Sequence, residues 1–323
     1  MPEYYGALFR FFKAQPADRP PVALGSSIRG RQGNPDMQQT QFQRVAILAR
    51  EGHKAIAQAA AELLAHLERL GCAAAVAKDP GLRSTLKEAQ LIIAMGGDGA
   101  MLRAAQTAVE HDKPLLGVNL GRLGFLADLG KQRFESELSS LLSGDCTAEK
   151  RMLLSARLTR LKDKALRAIA LNDVVAHRSG SARILELSAT VDGRHIATHR
   201  GDGFIAATAT GSTAYAMSCG GPIVDPRLDA TVMAPICPHK LDDRPLVISG
   251  DARLKLSIPA ATGASAAVSC DGIDLGVLEY GQALHISRSG SRLKLIHPSD
   301  YNYFSMLREK LNWGKGPATQ DAG

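Results

Sequence analysis

The sequence predicts an α/β first domain, a mostly β second domain and one C-terminal helix that folds back on the first. Three observations carry this. From Phe42, short apolar runs alternate with helical patterns, as in a parallel sheet with helices on its faces. After about residue 150, short and often alternating segments follow one another, separated by Gly, Asp, Asn or Pro. At the end, DYNYFSMLREKLNW returns to helical spacing, with Ser299 as its cap and Phe304, Leu307 and Leu311 on one face. The divisions are a flexible extension at 1–41, an α/β domain at 42–150, a β domain at 151–298, a helix at 299–313 and a disordered tail at 314–323.

Residues 1–41 hold PADRPP, GSSIRGRQGNPD and the aromatic cluster Tyr4, Tyr5, Phe9, Phe11 and Phe12. Arg10 and Lys13 interrupt the apolar stretch too early for a signal peptide, so the segment reads as a loosely docked arm. RVAILAR (44–50) is the first strand. KAIAQAAAELLAHLER (54–69) is a helix rich in Ala and Leu that stops at Gly71. CAAAVA (72–77), LIIAM (91–95) and PLLGVN (114–119) are further strands, and a helix begins after Gly99. In the second half LLSARLTRL, ILELSATVDG, FIAATAT, RLKLSIP, AAVSCDG and ALHISRS read as strands, and ALRAIALNDVVAH as one strand interrupted by Asn172-Asp173.

The chain has 323 residues, 45% hydrophobic and 22% charged, which is enough for one large or two medium domains. Aromatics are only 5%, so the core is built from Ala, Leu, Ile and Val. The net charge of +7 is scattered, without a basic run interleaved with aromatics. A small polyanionic ligand fits that pattern, and no nucleic-acid partner is expected. No stretch approaches the roughly 20 apolar residues of a membrane helix. The five cysteines lie far apart without CxxC spacing, and the nine histidines show no HxxxH or HExxH. Both facts point to free thiols in a reducing, cytoplasmic setting and to no protein-built metal site.

The chemistry concentrates at Gly96-Gly97-Asp98-Gly99, between a strand and a helix. Glycines let the backbone turn tightly and approach a ligand. Unpaired N–H groups at the helix start favour an anion such as phosphate. Asp98 adds one carboxylate that can take a hydroxyl proton. By itself the motif equally describes a capped strand–turn–helix corner. NLGRLGFL (119–126), with Gly121 and Gly124, lies at the end of the next strand, where ligands of parallel sheets sit. Asn172-Asp173 breaks an apolar run, and a carboxylate there either satisfies local backbone or binds hydroxyls. Residues 200–222 add an Asp-Gly pair, then Thr210-Gly211-Ser212-Thr213 before a short helix. That arrangement suits ribose, phosphate or an amide, and equally a capping turn. Asp271-Gly272 reads as a hairpin turn, His239 as a loop brace, and His177 and Arg178 as rim residues.

Taken together, GGDG (96–99), NLGRLGFL, LNDVVAH (171–177), RGDGFIAATATGSTAYAMSCGGPIVDP (200–226), APICPH (234–239) and SCDG (269–272) resemble the NAD kinase family, in order and in approximate spacing, over residues 44–312. The resemblance implies a Rossmann-like α/β N-terminal domain and a β-sandwich C-terminal domain with NAD between them. It implies phosphoryl transfer from ATP or another donor to the 2′-hydroxyl of the adenosine ribose, giving NADP. Asp98 is then the proton acceptor and Gly99 lies against the dinucleotide. Asn172, Asp173, Arg183, Arg200 and Asp202 become NAD contacts, and Thr213, Ala214, Tyr215, Ala216, Met217 and Ser218 line the adenine and ribose pocket. Gly96, Gly97, Gly99, Gly121 and Gly124 form the donor-phosphate loop, with Mg²⁺ or another divalent cation arriving on the phosphates. By the same analogy Arg200 favours NAD over NADH, and the assembly is a homodimer or homotetramer without membrane contact. Three positions depart from the family pattern: Ala100 where Thr, Ser or Asn is usual, Ala209 in place of Pro, and Ile273 in place of Gln. A lipid kinase of the diacylglycerol or sphingosine type shares GGDG but needs neither TGSTAY nor the Asn-Asp corner. A non-catalytic dinucleotide sensor is the alternative outside the enzymes.

Overall fold

Along the first part of the chain β1 (Arg44–Ala49), α1 (Lys54–Arg69), β2 (Ala73–Val76), α2 (Leu82–Glu88), β3 (Leu91–Met95), α3 (Asp98–Glu110) and β4 (Leu115–Asn119) alternate. The strands pair in parallel in the order β2-β1-β3-β4. The computed structural model describes residues 41–49, 53–77, 82–121, 124–127, 129–160, 164–180, 184–240, 242–260 and 263–313. The expected arm, the tail and Arg183 fall outside these. The described residues form one compact unit.

Every residue of β3 and β4 is buried, because helices cover both faces of the sheet. The period-2 alternation of β3 divides its side chains. Ile93 and Met95 pack with Leu63 and Leu67 of α1, whereas Ile92 and Ala94 pack with Met101 and Ala105 of α3. β5 (Leu129–Gly130) pairs in parallel with β4, and α4 (Lys131–Ser143) follows. Two helices, α2 and α4, carry no clear signal in the sequence. α2 has only 7 residues, and α4 starts without a capping side chain or an acidic first turn, so the usual start signals are missing.

The second part contains β6 (Cys146–Leu158), β7 (Leu166–Ala170), β8 (Asp173–Arg178), β9 (Leu185–Val191), β10 (Arg194–Gly201), β11 (Gly203–Thr208), a 3₁₀ turn at Thr210–Thr213 and α5 (Tyr215–Ser218). β12 (Ala230–Ile236), β13 (Leu246–Ser249), β14 (Leu254–Ser257), β15 (Ala266–Cys270), β16 (Ile273–Leu278), β17 (Leu284–Pro298) and α6 (Tyr303–Leu311) complete it. One antiparallel sheet has six strands in the order β13-β12-β11-β8-β15-β16. The remaining strands of this part join the first sheet through β17, which runs antiparallel to β6 and β14 and parallel to β4. The two sheets face each other across an apolar core that includes Leu154, Leu187 and Ile286 from one and Val174, Phe204 and Val268 from the other.

Two details differ from the sequence reading. The run ALRAIALNDVVAH is not one interrupted strand: β7 belongs to the large sheet and β8 to the small one, so Asn172 sits where the chain changes sheets. The last helix is capped by Asn302, whose Oδ1 accepts from the Ser305 N–H at 3.0 Å, rather than by Ser299. Its buried side chains are Met306 and Leu307, while Phe304 faces outward. Arg133 of α4 pairs with Asp300 at 2.7 Å and ties the start of this segment to the α/β part. Among the described residues no helix is long and apolar enough to cross a membrane, and all five cysteines are free.

Candidate active site

Gly96 leaves β3 with its N–H donating to the Val118 carbonyl at 2.9 Å, which keeps the corner on the sheet. Gly97 caps α3 without a side chain, so the first N–H groups of the helix have no side-chain acceptor there. Gly97 and Gly99 are exposed, and Asp98 is half-buried between them. The Asp98 carboxylate turns toward the loop after β4. Oδ2 accepts from the Phe125 N–H at 2.9 Å and Oδ1 from the Leu126 N–H at 3.0 Å. Gly124 makes room for this: a Cβ there would overlap Asp98 Oδ1. Buried Asn119 fixes the other end of the loop, accepting from the Gly121 N–H at 2.8 Å and donating to the Ala127 carbonyl at 3.4 Å. Each carboxylate oxygen of Asp98 keeps a second lone pair, so the group is held in place yet still able to accept. One turn along α3, Arg103 brings Nη1 to 4.0 Å from where a Cβ on Gly99 would lie, which sets a cation beside the corner.

The second cluster forms where the chain passes from β7 to β8. Three successive N–H groups at this corner, the last of them at the start of β8, all turn to one carboxylate. Asp271 Oδ2 accepts from Leu171 N–H at 2.7 Å, and Oδ1 accepts from Asn172 at 2.8 Å and Asp173 at 3.1 Å. Asp173 is 7% exposed. Burial first, and then the charge of Asp271, push its carboxyl up to about 7. Burial also raises Asp271, against the lowering effect of its three backbone bonds. Asn172 Oδ1 is buried without a hydrogen-bond partner.

The hydroxyl-rich turn packs onto this corner. A Cβ at Gly211 would overlap the Asn172 carbonyl, so only glycine lets the turn approach so closely. Thr208 Oγ1 donates to the Leu171 carbonyl at 2.5 Å and accepts from the Gly211 N–H at 3.0 Å. Ser212 is consumed internally: its Oγ accepts from the Val224 N–H at 2.9 Å and donates to the Ala209 carbonyl at 2.7 Å. Thr213 is buried and donates within the turn to the Thr210 carbonyl at 3.4 Å. α5 then carries Tyr215, Ala216, Met217 and Ser218; Ala216 enters the core, while Tyr215 is 42% exposed. The Tyr215 phenol is raised by burial, then by the Cys219 and Cys237 thiols and the carboxylates of Asp202 and Asp173, which places those groups around it. Asp202 also pairs with Arg178 at 3.2 Å. Arg200 instead pairs with Glu186, its cross-strand neighbour on β9, at 3.0 Å.

One apolar cluster joins the two halves of the site. Met101 of α3, Leu126 and Ala127 of the loop that holds Asp98, and Leu171 beside Asn172 all lie in it. The structure therefore gathers the GGDG corner, the 119–127 loop and the Asn172-Asp173 corner around a shared core. Sequence reasoning missed Asp271 as a site organiser and Gly124 as the seat of Asp98. The signal for Asp271 was present as SCDG but has the form of a hairpin turn, and the pairing joins residues about a hundred positions apart.

A glycine corner at the end of a parallel strand, with one fixed carboxylate beside a helix start and a buried Asn-Asp corner on the same core, has the chemistry of a site that binds a phosphorylated ligand and takes a proton from a hydroxyl. Comparison with known proteins agrees. The family model for the ATP-NAD kinase N-terminal domain matches residues 77–146, and that for the C-terminal domain matches residues 171–298. The NAD kinase of Methylococcus capsulatus is 38% identical over 285 residues, covering 85% of this chain and 98% of the relative. That of Halorhodospira halophila is 40% identical over 292 residues, covering 85% and 94%. Among solved structures, an Archaeoglobus fulgidus NAD kinase in complex with ATP aligns with a TM-score of 0.65 at 26% identity, covering 83% of this chain and 98% of that one. Yeast NADH kinase complexed with NADH shares the fold, with a TM-score of 0.76 at 22% identity over 89% of this chain and 94% of that one. The chain belongs to the NAD kinase family and is a phosphotransferase with NAD kinase activity.

Proposed function

We propose that this NAD kinase carries out its transfer at the GGDG corner, with Asp98 as the proton acceptor for the 2′-hydroxyl of the adenosine ribose of NAD. The observation that supports this most is the seating of Asp98 on the Phe125 and Leu126 N–H groups, beside the start of α3. A ribose hydroxyl is a weak nucleophile at neutral pH, and phosphoryl transfer depends mainly on positioning and on charge neutralisation. In the transfer, the ribose oxygen bonds to the γ-phosphorus of ATP, the bond to the bridging oxygen breaks, and ADP leaves. The hydroxyl proton passes to Asp98, a contribution on the order of 10²–10⁴-fold.

The donor phosphates lie along Gly96, Gly97, Gly99, Gly121 and Gly124, within reach of the free N–H groups of α3 and of Arg103. Asn172, Asp173, Asp202 and the stretch Thr213–Ser218 hold the dinucleotide. The α/β part thus serves the donor and the sandwich part the acceptor. Among the described residues no group of three or more His, Cys, Asp or Glu side chains could hold a metal ion. Mg²⁺, bound with the donor, would be carried mainly by the donor phosphates and water and would neutralise phosphate charge. Arg200, paired with Glu186 at 3.0 Å, lends its charge to a preference for NAD over NADH only in part. The five free cysteines accord with a reducing, cytoplasmic setting. Exposed Leu246 and Val247 on the edge strand β13 accord with a homo-oligomer.

A donor–acceptor panel tests the reading: ATP, GTP and polyphosphate, each against NAD, NADH and a lipid alcohol, with the phosphorylated position read by phosphorus NMR. ATP with NAD is expected to give the 2′-phosphate. Turnover of the lipid alcohol in preference to NAD sinks the reading.

A further inference from the structure

We propose that Asp271 is a positioning residue for the dinucleotide, holding Asn172 and Asp173 in the geometry that contacts NAD. This rests on the reading that the Asn172-Asp173 corner is an acceptor contact.

At the corner the chain changes sheets, and β11 reaches it from one side only, through the Thr208 N–H to the Asn172 carbonyl at 2.8 Å and the Ala207–Asp173 pair. On the other side the Asp271 carboxylate accepts from three consecutive N–H groups, at 2.7, 2.8 and 3.1 Å. The exchange is reciprocal, since the Asp271 N–H donates to the Asp173 carbonyl at 3.0 Å. Its aim is set by the turn between β15 and β16, where Asp271 and Gly272 both have positive φ, 50° and 76°. Asp271 therefore fixes both the backbone and the exit direction of the two side chains. One result is the buried Asn172 Oδ1 with no hydrogen-bond partner, an acceptor available to a ligand donor such as an amide or hydroxyl.

Asp271 also acts on Asp173 by charge. The titratable groups facing Asp173 are Asp271, the Cys270 thiol beside it and the Tyr215 phenol, all of them acids. Burial first, then Asp271, hold the Asp173 carboxyl up at about 7. An ionised Asp173 accepts from ribose hydroxyls with both oxygens and with charge assistance, whereas a protonated one accepts more weakly and gives one oxygen over to donating. Affinity for NAD accordingly rises with pH through that range, over an interval that Asp271 helps to set.

The test is Asp271→Asn in the full chain, with KM for NAD and kcat measured at saturating ATP from about pH 5.5 to 8.5. Asparagine keeps one acceptor oxygen but turns an NH₂ toward the Leu171 N–H and carries no charge. KM for NAD is expected to rise roughly tenfold, with kcat changed by less than about threefold. The acid limb of kcat/KM for NAD is expected to move to lower pH, a shift that a purely structural role would not produce. If KM and the limb stay put while Asp173→Asn raises KM, Asp271 does not position and the acceptor site stands. If Asp173→Asn itself leaves KM for NAD unchanged, the acceptor reading fails and takes this proposal with it. Wild-type hydrogen exchange needs no variant: slow exchange at the Leu171, Asn172 and Asp173 amides in NAD-free protein is expected, and rapid exchange there overturns the proposal.

Discussion

Asp173→Asn should make the protein more stable at alkaline pH while weakening NAD binding. Asp173 is 7% exposed, and its carboxyl is raised from an ordinary 3.8 to about 7. An acid whose value is raised by folding keeps its proton in the native state after the unfolded chain has lost it. Its contribution to stability therefore falls as pH rises from about 4 to about 7, then levels off. About three pH units correspond to about 4 kcal/mol over the whole range, and about 2.5 kcal/mol of that is lost between pH 5 and pH 8. Asparagine, which does not titrate, escapes this loss. Thermal melts of ligand-free wild type and variant at pH 5 and pH 8 measure the difference, and the variant is expected to gain roughly 5 °C on wild type between the two. Under the proposed reading the same carboxylate serves the dinucleotide, which makes the burden on the wild type a trade of stability for function. A gap between the proteins that is equal at both pH values refutes the reasoning, since Asp173 would then titrate as an ordinary exposed acid.

Three further outcomes follow from the geometry. Gly124→Ala should displace the Asp98 carboxylate and lower kcat by about 10²-fold or more, with NAD binding retained; in an Asp98→Gly background the same change should no longer affect stability, as melts of the single and double variants would show. Arg151→Ala removes the buried partner of Glu149, near His297, and should cost about 3–5 kcal/mol in urea unfolding; a loss under about 1 kcal/mol contradicts the assignment of a paired buried charge. Arg103→Ala should raise KM for ATP roughly severalfold and leave KM for NAD unchanged, and added salt should weaken ATP binding less in the variant than in wild type; the opposite split places Arg103 on the acceptor side.

The alternation of β1 to β4 with their helices was legible because each strand is a short apolar run and each long helix has a clear period. The joining of the two parts was not. β17 continues past a register shift between Arg288 and Arg292, but nothing local tells that its end pairs in parallel with β4. Asn172-Asp173 was visible as a fault in an apolar run, yet the cause, a change of sheet, depends on the partners of β7 and β8. The cap of α6 was misplaced because Ser299 and Asn302 are both good caps, and only the packing of Met306 and Leu307 decides between them. In the site, Asp98 announced itself through its glycines. Gly124 did not announce that its missing Cβ is where the Asp98 carboxylate lies, because that contact is made across a loop.

The central claim is that Asp98 takes the proton of a ribose hydroxyl held against it. Asp98→Asn tests it most directly, because the amide keeps the size of the side chain and cannot accept that proton. Calorimetric NAD binding and single-turnover phosphorylation, measured on the same preparation, are expected to show an affinity within about threefold of wild type and a rate lower by roughly 10²–10⁴-fold. A variant that binds NAD and phosphorylates it at the wild-type rate contradicts the account.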